Sequence, residues 1–420
     1  MSLFGAMDTA VSGMTAQSSA ITNISDNVAN AQTVGYKRVG TAFVDYLTVS
    51  TPTENGPDSV VANPEYNNTV QGTITQSTDP LALAINGAGF FAVAESDGTT
   101  TSGQPDFAQQ TYYTRAGDFT MNANGYLVNS AGEYLEAWPV NSATGAVNET
   151  ALTPVQVSQT AFAPIPTANV TLAANLPLNA PAGTPMATQI TVYDAAGATH
   201  TLTFNWTQPS SPGNPWTLSV SADGNPPFAT ATVGFNSNGT IASINGAGTA
   251  GQPANLTLTP NLGTGPQPIT LNLGTFGQSN GVTQFAGNSY NLVSVTQDGV
   301  PPGSFTGVSI NTAGQIITNY SNGQTRVIAQ IPLVTFNNPN ALQRQNGQAY
   351  LDTAQAGAAM LSNPNANGAG GLVTGAVEGS NVDIATEFTN LIVAQEAYSA
   401  NAKTITATNT LMQTTINLIQ

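Results

Sequence analysis

The stretch NVANAQTVGYKR, residues 27–38, decides how the N-terminal part of the chain is organised. Upstream of it, Gly and Pro are rare and apolar residues recur at helical intervals. Lys37 and Arg38 stand side by side in it, although the 420-residue chain has only six Lys and Arg. Because glycine readily takes the left-handed conformation that ends a helix, the stretch predicts a helix that stops at Gly35 and a non-helical segment after it.

The residues before this stop form a predicted amphipathic helix, from about residue 5 to residue 31. Apolar side chains recur in it at every seventh position, which is typical of a helix that packs along another helix. Packing on a partner removes these side chains from water, so the pattern predicts a coiled-coil seam. The seam residues are Met7, Met14, Ile21, Ile24 and Val28.

A longer seam occupies the C-terminal end, where neither Pro nor Gly interrupts residues 381–420. The sequence SNVD, residues 380–383, matches the capping-box pattern of a helix start, with Glu387 one turn further on. At ~1.5 Å per residue the helix would be roughly 60 Å long. It therefore either forms a coiled coil or packs on the chain's own globular part. Its seam residues are Phe388, Leu391, Gln395, Tyr398, Ile405, Met412, Ile416 and Ile419.

The composition excludes several classes of protein. Charged residues make up only 7% of the chain, and 22 acids against six bases give a formal net charge of −16. Nucleic acids and anionic membrane surfaces bind basic patches, so neither is a predicted partner. The absence of Cys excludes disulfides and thiolate metal sites. No apolar run approaches the ~18 residues of a membrane-spanning helix.

The region between the helical ends is predicted to be β-rich. Asn-Gly dipeptides between alternating apolar runs, as in FTMNANGYLV and TVGFNSNGTIASING, are the strongest short signal for a β-hairpin. The predicted fold is mainly β with long α-helical termini, a nested and discontinuous multidomain chain of terminal coiled-coil helices and two barrel-like or sandwich-like β domains. The predicted parts are residues 1–34 with 372–420 as the helical domain, 35–68 as an extended connector, 69–166 with 289–371 as the inner β domain, and 167–288 as the outer β domain.

Catalytic and metal-binding patterns are missing from the sequence. His200 is the only His, so a metal site with two His ligands from one chain is excluded. Asp97 and Asp106 flank a polar loop, and although a pair of acids would suit a glycosidase, acids without a chemical role are the favoured interpretation. Arg115 is expected to steady a turn by pairing with Asp118. We therefore predict no enzyme, and no catalytic, cofactor-binding or metal-binding residues.

Both ends of the chain resemble the axial rod and hook family of the bacterial flagellum, and most closely its hook proteins. The resemblance extends to DPLALAINGAGFFAV and YTRAGDFTMNANGYLV in the inner β region and to ITVYDAAGATHTLTFNW in the outer one. Ala394, Asn401 and Lys403 match the interior of the family's closing motif, whereas Glu396 stands where the family often has a basic residue. The residues that match the motifs at the two helix ends are Asn27, Ala29, Asn30, Thr33, Gly35, Tyr36, Lys37, Ser380, Asn381, Val382 and Asp383.

The resemblance implies a structural subunit that assembles with copies of itself into a flexible helical tube, a universal joint between the flagellar rod and filament. It implies as partners the rod proteins, the hook–filament junction proteins, the hook cap during assembly and the type III export apparatus. It also implies a location outside the cell, in the hook and basal body, after export without a cleaved signal peptide. The first residues lack the basic segment of such a peptide.

Within such a tube, Tyr36 is expected to pack against the β domain or a neighbouring chain. Lys37 and Arg38 are expected to pair with acids such as Glu387 or Glu396 of an adjacent chain. The alternative is a plain helix stop followed by two solvated bases.

Two other interpretations of the whole chain stay open. One is a different axial protein, a distal rod or hook-associated protein, but the large predicted outer domain favours the hook. The other is a secreted β-rich adhesin or carbohydrate-binding protein, which would need clustered, exposed aromatic side chains. Trp138, Trp206 and Trp216 lie in strands where burial is predicted instead.

Overall fold

A computed structural model of the chain describes residues 3–51, 54–99, 103–142, 144–209, 214–287 and 289–419. Side chains are described for all of these except residues 48–51, 54–58 and 418–419. The chain divides into two compact units. The first unit comprises Met1–Gln159, Gly307–Asn319 and Thr325–Gln420, and the second comprises Thr160–Thr306 and Tyr320–Gln324.

These units divide the chain differently from the four predicted parts. Both terminal helices belong to the same compact unit as the inner β region, and buried ion pairs join the segments that flank the helices to that region. The second unit begins at Thr160 and extends to Thr306, beyond both limits of the predicted outer domain.

The described residues form two long helices and a series of mostly short strands. Helix α1 is Leu3–Ala29 and helix α2 is Ile384–Ile419. The strands before the second unit are β1 Val39–Thr51, β2 Glu54–Tyr66, β3 Ile74–Gln76, β4 Leu83–Asn86, β5 Phe91–Thr99, β6 Pro105–Thr114, β7 Thr120–Met121, β8 Leu127–Val128, β9 Tyr134–Pro139 and β10 Thr153–Pro154. The next are β11 Asn169–Asn175, β12 Met186–Tyr193, β13 Thr199–Thr207, β14 Trp216–Ala222, β15 Ala229–Phe235, β16 Ile241–Ile244, β17 Pro253–Leu258, β18 Ile269–Thr275 and β19 Asn291–Gln297. The last are β20 Phe305–Ile310, β21 Gln315–Tyr320, β22 Thr325–Gln330, β23 Leu333–Thr335, β24 Gln343–Arg344, β25 Ala349–Leu351, β26 Met360–Ser362, β27 Gly371–Thr374 and β28 Ala376–Glu378.

The two terminal helices lie antiparallel against each other. Asn27 donates a hydrogen bond from Nδ2 to Glu387 Oε2 (3.2 Å), and a Cβ atom added to Gly13 would lie 2.9 Å from Asn401 Nδ2. Asn27 and Gly13 are fourteen residues apart on α1, and Glu387 and Asn401 are fourteen residues apart on α2. The helix contact therefore repeats every seven residues on both helices.

Helix α2 begins in a slightly different way from the predicted capping box. The carboxylate of Asp383 caps the helix, because its Oδ1 accepts hydrogen bonds from the backbone N of Ala385 (2.9 Å) and Thr386 (3.4 Å). The Ser380 hydroxyl accepts one from the backbone N of Val382 (3.3 Å), before the helix starts. Capping stabilises the helix by satisfying amides that have no partner within it.

The described part of residues 35–68 forms an antiparallel strand pair, called the hairpin below, rather than the predicted extended connector. Strands β1 and β2 pair with each other antiparallel, so each satisfies backbone groups that a single extended strand would leave to water. The hairpin lies along α1. Asn23 Nδ2 donates a hydrogen bond to Thr41 Oγ1 (2.9 Å), and the Ser12 hydroxyl accepts one from the backbone N of Val60 (3.2 Å).

The β region of the first unit contains, among the described residues, an 11-stranded sheet with the central order β20-β21-β22-β9-β5-β6-β25-β24. Its core includes Phe91 and Phe119, whose rings meet edge-on with centroids 5.6 Å apart. Two short pairings, β27 with β4 and β28 with β3, fasten the segment before α2 to this body. The second pairing places Glu378, the last residue of β28, inside the protein.

The second unit is built from two sheets that share one apolar core, with strand orders β17-β18-β11-β19 and β12-β13-β14-β15-β16 among the described residues. Trp206 and Trp216 are completely buried in that core, and Trp138 is buried in the first unit. The predicted burial of the three Trp side chains is confirmed, and so is the fold class, mainly β with helical termini.

Candidate functional site

A buried carboxylate joins the two ends of the chain to its β region. Glu378 is completely buried. Its Oε1 accepts hydrogen bonds from Lys37 Nζ (2.5 Å) and from the backbone N of Gly72 (2.8 Å), and its Oε2 accepts one from Arg115 Nη1 (3.0 Å). Lys37 Nζ also donates to the carbonyl of Val70 (2.7 Å). One carboxylate therefore holds two cations that are far apart in the sequence.

The charges of this cluster are kept from water. Lys37 is 1% exposed and Arg115 is 3% exposed. Burial lowers the pKa of each cation, and the neighbouring carboxylate of Glu378 opposes that shift. The expected pairing of Arg115 with Asp118 is wrong, because β28 brings the Glu378 carboxylate to the guanidinium.

A second ion pair ties the residues after α1 to the start of α2. Arg38 Nε donates to Glu387 Oε1 (2.5 Å), and Glu387 is completely buried. Asn27, on α1, donates to the other carboxylate oxygen (3.2 Å). The side-chain amide oxygen of Asn27, Oδ1, accepts hydrogen bonds from the hydroxyl of Tyr36 (3.1 Å) and the backbone N of Val39 (3.0 Å). Asn27 thereby connects both helices to the turn that follows α1.

The ion pairs of Lys37 and Arg38 form within one chain. Glu387 is the partner of Arg38, but in the same chain rather than an adjacent one, and Lys37 pairs with Glu378. The expectation of pairing between chains is therefore wrong for these two bases. The reason is the antiparallel helix pair, which places the start of α2 beside the end of α1. Glu396, the other acid considered, is exposed on α2.

Gly35 permits this arrangement for two reasons. Its φ of +71° lies in the left-handed region, which glycine tolerates best. A Cβ atom at this position would also lie 2.4 Å from the backbone N of Ala116, closer than any side chain can approach. The helix itself ends at Ala29, and turns lead from there to Gly35. The prediction that the helix stops at Gly35 is therefore wrong, and glycine is needed instead at the contact with the β region.

We call the cluster of Asn27, Tyr36, Lys37, Arg38, Arg115, Glu378 and Glu387 the terminal junction. Sequence analysis named all of these residues except Glu378, and so missed the true partner of both Lys37 and Arg115. The available signal was the scarcity of bases, since three of the six lie in the junction and a fourth lies beside it. The fourth, Arg344, has its guanidinium 4.8 Å from the centre of the Tyr36 ring, where a cation is attracted by the ring's π face. Burial raises the pKa of the Tyr36 hydroxyl.

The structure brings the two family-motif segments together. Asn381 Oδ1 accepts a hydrogen bond from the backbone N of Arg38 (2.7 Å), and its Nδ2 donates to the Val70 carbonyl (3.1 Å). In the N-terminal segment, the Thr33 hydroxyl donates to Asn30 Oδ1 (3.1 Å). Ala29 and Asp383 are exposed, whereas Ser380 and Val382 are half-buried.

Apart from Ile24, the buried side chains of the two helices are small or polar. The buried residues of α1 are Ala10, Gly13, Ala16, Ala20, Ile24 and Asn27. Those of α2 are Glu387, Ala394 and Thr408. Gly13, Ala20 and Asn27 are spaced seven residues apart. Each lies one position before a predicted seam residue, namely Met14, Ile21 and Val28. Because the spacing between helix axes depends on the side chains at the contact, small residues allow a close approach.

The predicted seam residues differ in exposure. Ile24 is buried. The half-buried ones are Met7, Met14, Ile21, Val28, Leu391, Ile405 and Met412. The exposed ones are Phe388, Gln395, Tyr398 and Ile416. Ile419 lies outside the residues whose side chains are described.

Large apolar side chains remain exposed on α2. Ile384, Phe388 and Ile392 are 44%, 51% and 56% exposed. Their spacing of four residues places them in a row on one face of the helix. We call this row the α2 ridge. Contiguous apolar patches on a protein surface mark interaction sites, so the ridge is a candidate surface for association.

Comparison with known proteins identifies the family. Four protein-family models match parts of the chain. The flagella basal body rod protein family matches residues 7–37, and the flagellar hook protein FlgE/F/G D1 domain matches residues 84–196. The flagellar basal body protein FlaE D2 domain matches residues 160–300, and the flagellar basal body rod FlgEFG protein C-terminal family matches residues 373–418. The flagellar hook protein FlgE of Brucella suis biovar 1 (strain 1330) is 34% identical over 425 residues, which cover all of both chains. The chain belongs to the flagellar hook protein family.

A second relative supports this assignment. FlgE of Escherichia coli (strain K12) is 31% identical over 433 residues, covering 98% of this chain and 100% of that protein. The crystal structure of Helicobacter pylori flagellar hook protein FlgE2 matches with a TM-score of 0.48 and 16% identity, covering 71% of this chain and 98% of that one.

Two further observations concern only the described part of this hook-family chain. Neither α1 nor α2 combines the length and apolar character that crossing a membrane requires. No group of three or more His, Cys, Asp or Glu side chains is arranged to hold a metal ion there.

Proposed function

We propose that the chain is the structural subunit of the bacterial flagellar hook and assembles with copies of itself into a flexible helical tube. The α2 ridge carries this proposal. Fully burying a side chain the size of Ile or Phe is worth about 1.5–3 kcal/mol, and the ridge offers three such side chains in one row. When a surface on one copy binds a different surface on the next, the contact repeats without closing and produces a helical filament.

The terminal junction supports the same proposal. Its ion pairs fix the ends of α1 and α2 to the β region of the first unit before any second copy is present. A subunit whose helices are already placed loses less conformational freedom when it joins a tube. The junction thus fixes the position of the α2 ridge before a neighbouring copy binds. Each added copy then exposes its own ridge in a defined orientation for the next copy.

The proposed role in a bending joint rests on how the second unit is built. Among its described residues, the contacts that could be ionic involve only His200 and require a protonated imidazole: Nδ1 lies 2.7 Å from Asp223 Oδ2 and Nε2 lies 3.7 Å from Asp194 Oδ2. Apart from His200, the titratable charges between residues 160 and 306 are only those of Asp194, Asp223 and Asp298. Contacts between surfaces with so few charges exchange partners without separating buried charge pairs, which is the costly step in moving an ionic interface.

The family also suggests the partners and the location. We propose that the chain meets rod proteins at one end of the tube and hook–filament junction proteins at the other, with a hook cap present during assembly. We further propose export through the flagellar type III apparatus without removal of a signal peptide, which places the assembled protein outside the cell. The relatives that support these proposals are named as structural hook proteins rather than enzymes.

Negative-stain electron microscopy of salt-induced assemblies tests the proposal. Wild type is expected to form tubes, and the variant Phe388→Asn/Ile392→Asn is expected to lose them, because it removes apolar area from the ridge without touching the junction. The matched control is Thr404→Asn/Thr415→Asn, two exposed positions of α2 that lie at least twelve residues beyond the ridge. Tubes of normal length and yield from the ridge variant would contradict the proposal.

A further inference from the structure

An open pocket lies in the second unit, outside the terminal junction. Its volume is about 590 Å³, within the ~300–1,000 Å³ of small-ligand sites. It is lined by Leu178, by residues 236–239 of the turn between β15 and β16, and by Gln284 and Phe285, among others. None of the described lining residues is charged. The pocket therefore suits a neutral ligand.

Phe285 provides an apolar wall of the pocket and is 44% exposed. Its ring lies against Gly239, where a Cβ atom would be 2.7 Å from the ring Cδ1 and 2.6 Å from the carbonyl oxygen of Gln284. Gly239 also has a φ of +80°, which disfavours other residues. The turn is thus shaped so that the aromatic ring lies close against it. Leu178, 43% exposed, adds further apolar surface.

Amide side chains supply hydrogen-bonding groups beside this wall. Asn236 donates from Nδ2 to Thr240 Oγ1 (3.1 Å), so its Oδ1 is available as an acceptor. Asn238 accepts at Oδ1 from the same hydroxyl (2.7 Å), so its Nδ2 is available as a donor. Gln284 is 8% exposed, and its Nε2 has no hydrogen-bond partner within the described residues. A buried amide without a partner is destabilising, and a ligand oxygen would relieve this once the side chain turns towards it.

We propose that this pocket binds a neutral sugar ring. Adjacent hydroxyls of a pyranose both donate and accept hydrogen bonds, which matches an acceptor and a donor two residues apart in the turn. The C–H face of such a ring is weakly positive and packs on the negative π face of Phe285. Acidic sugars are disfavoured, because the chain carries a net charge of −16. The buried Trp side chains take no part. The proposal does not depend on the function in the hook.

Saturation-transfer NMR with the full chain tests this binding. The probes are the methyl glycosides of glucose, galactose, mannose and N-acetylglucosamine at about 10 mM, since so small a ligand is expected to bind with a dissociation constant near ~1 mM. At least one probe is expected to receive saturation on its ring protons. Phe285→Ala and Gln284→Leu should each weaken that binding about tenfold. The control Phe228→Ala, at a 37% exposed Phe outside the pocket, should leave it unchanged.

Three results would overturn the proposal. The first is that none of the four glycosides receives saturation from the wild-type chain. The second is an equal loss of binding in the Phe228 and Phe285 variants, which would indicate nonspecific contact with aromatic side chains. The third is that sugars fail to bind while the Phe285 and Gln284 variants lose tube formation, which would assign the pocket to contacts between copies. Circular dichroism checks that both variants remain folded.

Discussion

Replacing Glu378 by Gln tests the terminal junction most directly. The variant keeps the shape of the side chain but removes its charge, so Lys37 and Arg115 stay buried without a counter-ion, at 1% and 3% exposure. Removing one partner of a buried ion pair costs about 3–5 kcal/mol, mostly because the remaining charge is left unpaired. Two cations lose their partner here, and the Gln oxygen still accepts one hydrogen bond. We therefore expect the first unit to lose about 3–5 kcal/mol of unfolding free energy.

Urea unfolding of the dilute, full-length chain measures this loss. Circular dichroism at the helical minimum reports on the first unit, because both described α-helices belong to it. The matched control is Glu396→Gln, which removes an exposed acid from α2 and should change the unfolding free energy by less than about 0.5 kcal/mol.

A second variant separates the charge effect from loss of shape. Lys37→Met/Glu378→Gln removes one of the two unpaired cations and should recover about 1–2 kcal/mol relative to Glu378→Gln alone. The reasoning is refuted if Glu378→Gln unfolds like the Glu396 control, or if the double variant is no more stable than the single one.

Three further predictions concern the first unit. Gly35→Ala should lower the free energy of unfolding by about 1–3 kcal/mol or more, because Gly35 has a φ of +71° and lies against the backbone of Ala116. In the control Gly132→Ala, where φ is +88° but the space is open, urea unfolding should show a smaller loss. Burial raises the pKa of Glu133 to about 7 from 4.5, so the folded state favours the protonated carboxyl and loses stability as that proton leaves with rising pH. Relative to Glu133→Gln, the wild-type free energy of unfolding should fall by about 2–3 kcal/mol between pH 5 and pH 8. Equal pH profiles of the two proteins would contradict this. Gly13→Leu should push the two helices apart near Asn401 and lower the free energy of unfolding by about 1–3 kcal/mol. Amide hydrogen exchange, which should become faster in α1 and α2, measures this effect.

Local sequence signals were sufficient for the elements and for the family. Asn-Gly turns and alternating apolar residues predicted the β region, and uninterrupted heptads predicted both helices. A break after α1 was predicted from Gly35, because glycine's tolerance of positive φ is a local property, but the contact with Ala116 that also requires glycine is tertiary. The segment 35–68 was harder: strand-like residues do not reveal whether a strand is single or pairs back on its neighbour.

The sequence did not reveal which positions of the seven-residue repeat face the partner helix. A seven-residue repeat is satisfied equally by Gly13 and Ala20 and by Met14 and Ile21, since each set recurs at the same interval. Apolar size favoured the larger residues. The structure buries the smaller set because close helix packing requires small side chains at the contact, and this leaves the α2 ridge exposed for a neighbour.

The sequence by itself determined the mainly β fold, the two terminal helices and the membership of the hook protein family, because all three depend on residue patterns over short stretches. Only the tertiary structure decided which acid meets which base. Glu378 is 341 residues from Lys37 and 263 from Arg115, and no short-range pattern relates them. Their pairing follows from the strand pairing of β28 with β3, which brings a carboxylate from near one end of the chain to cations near the other.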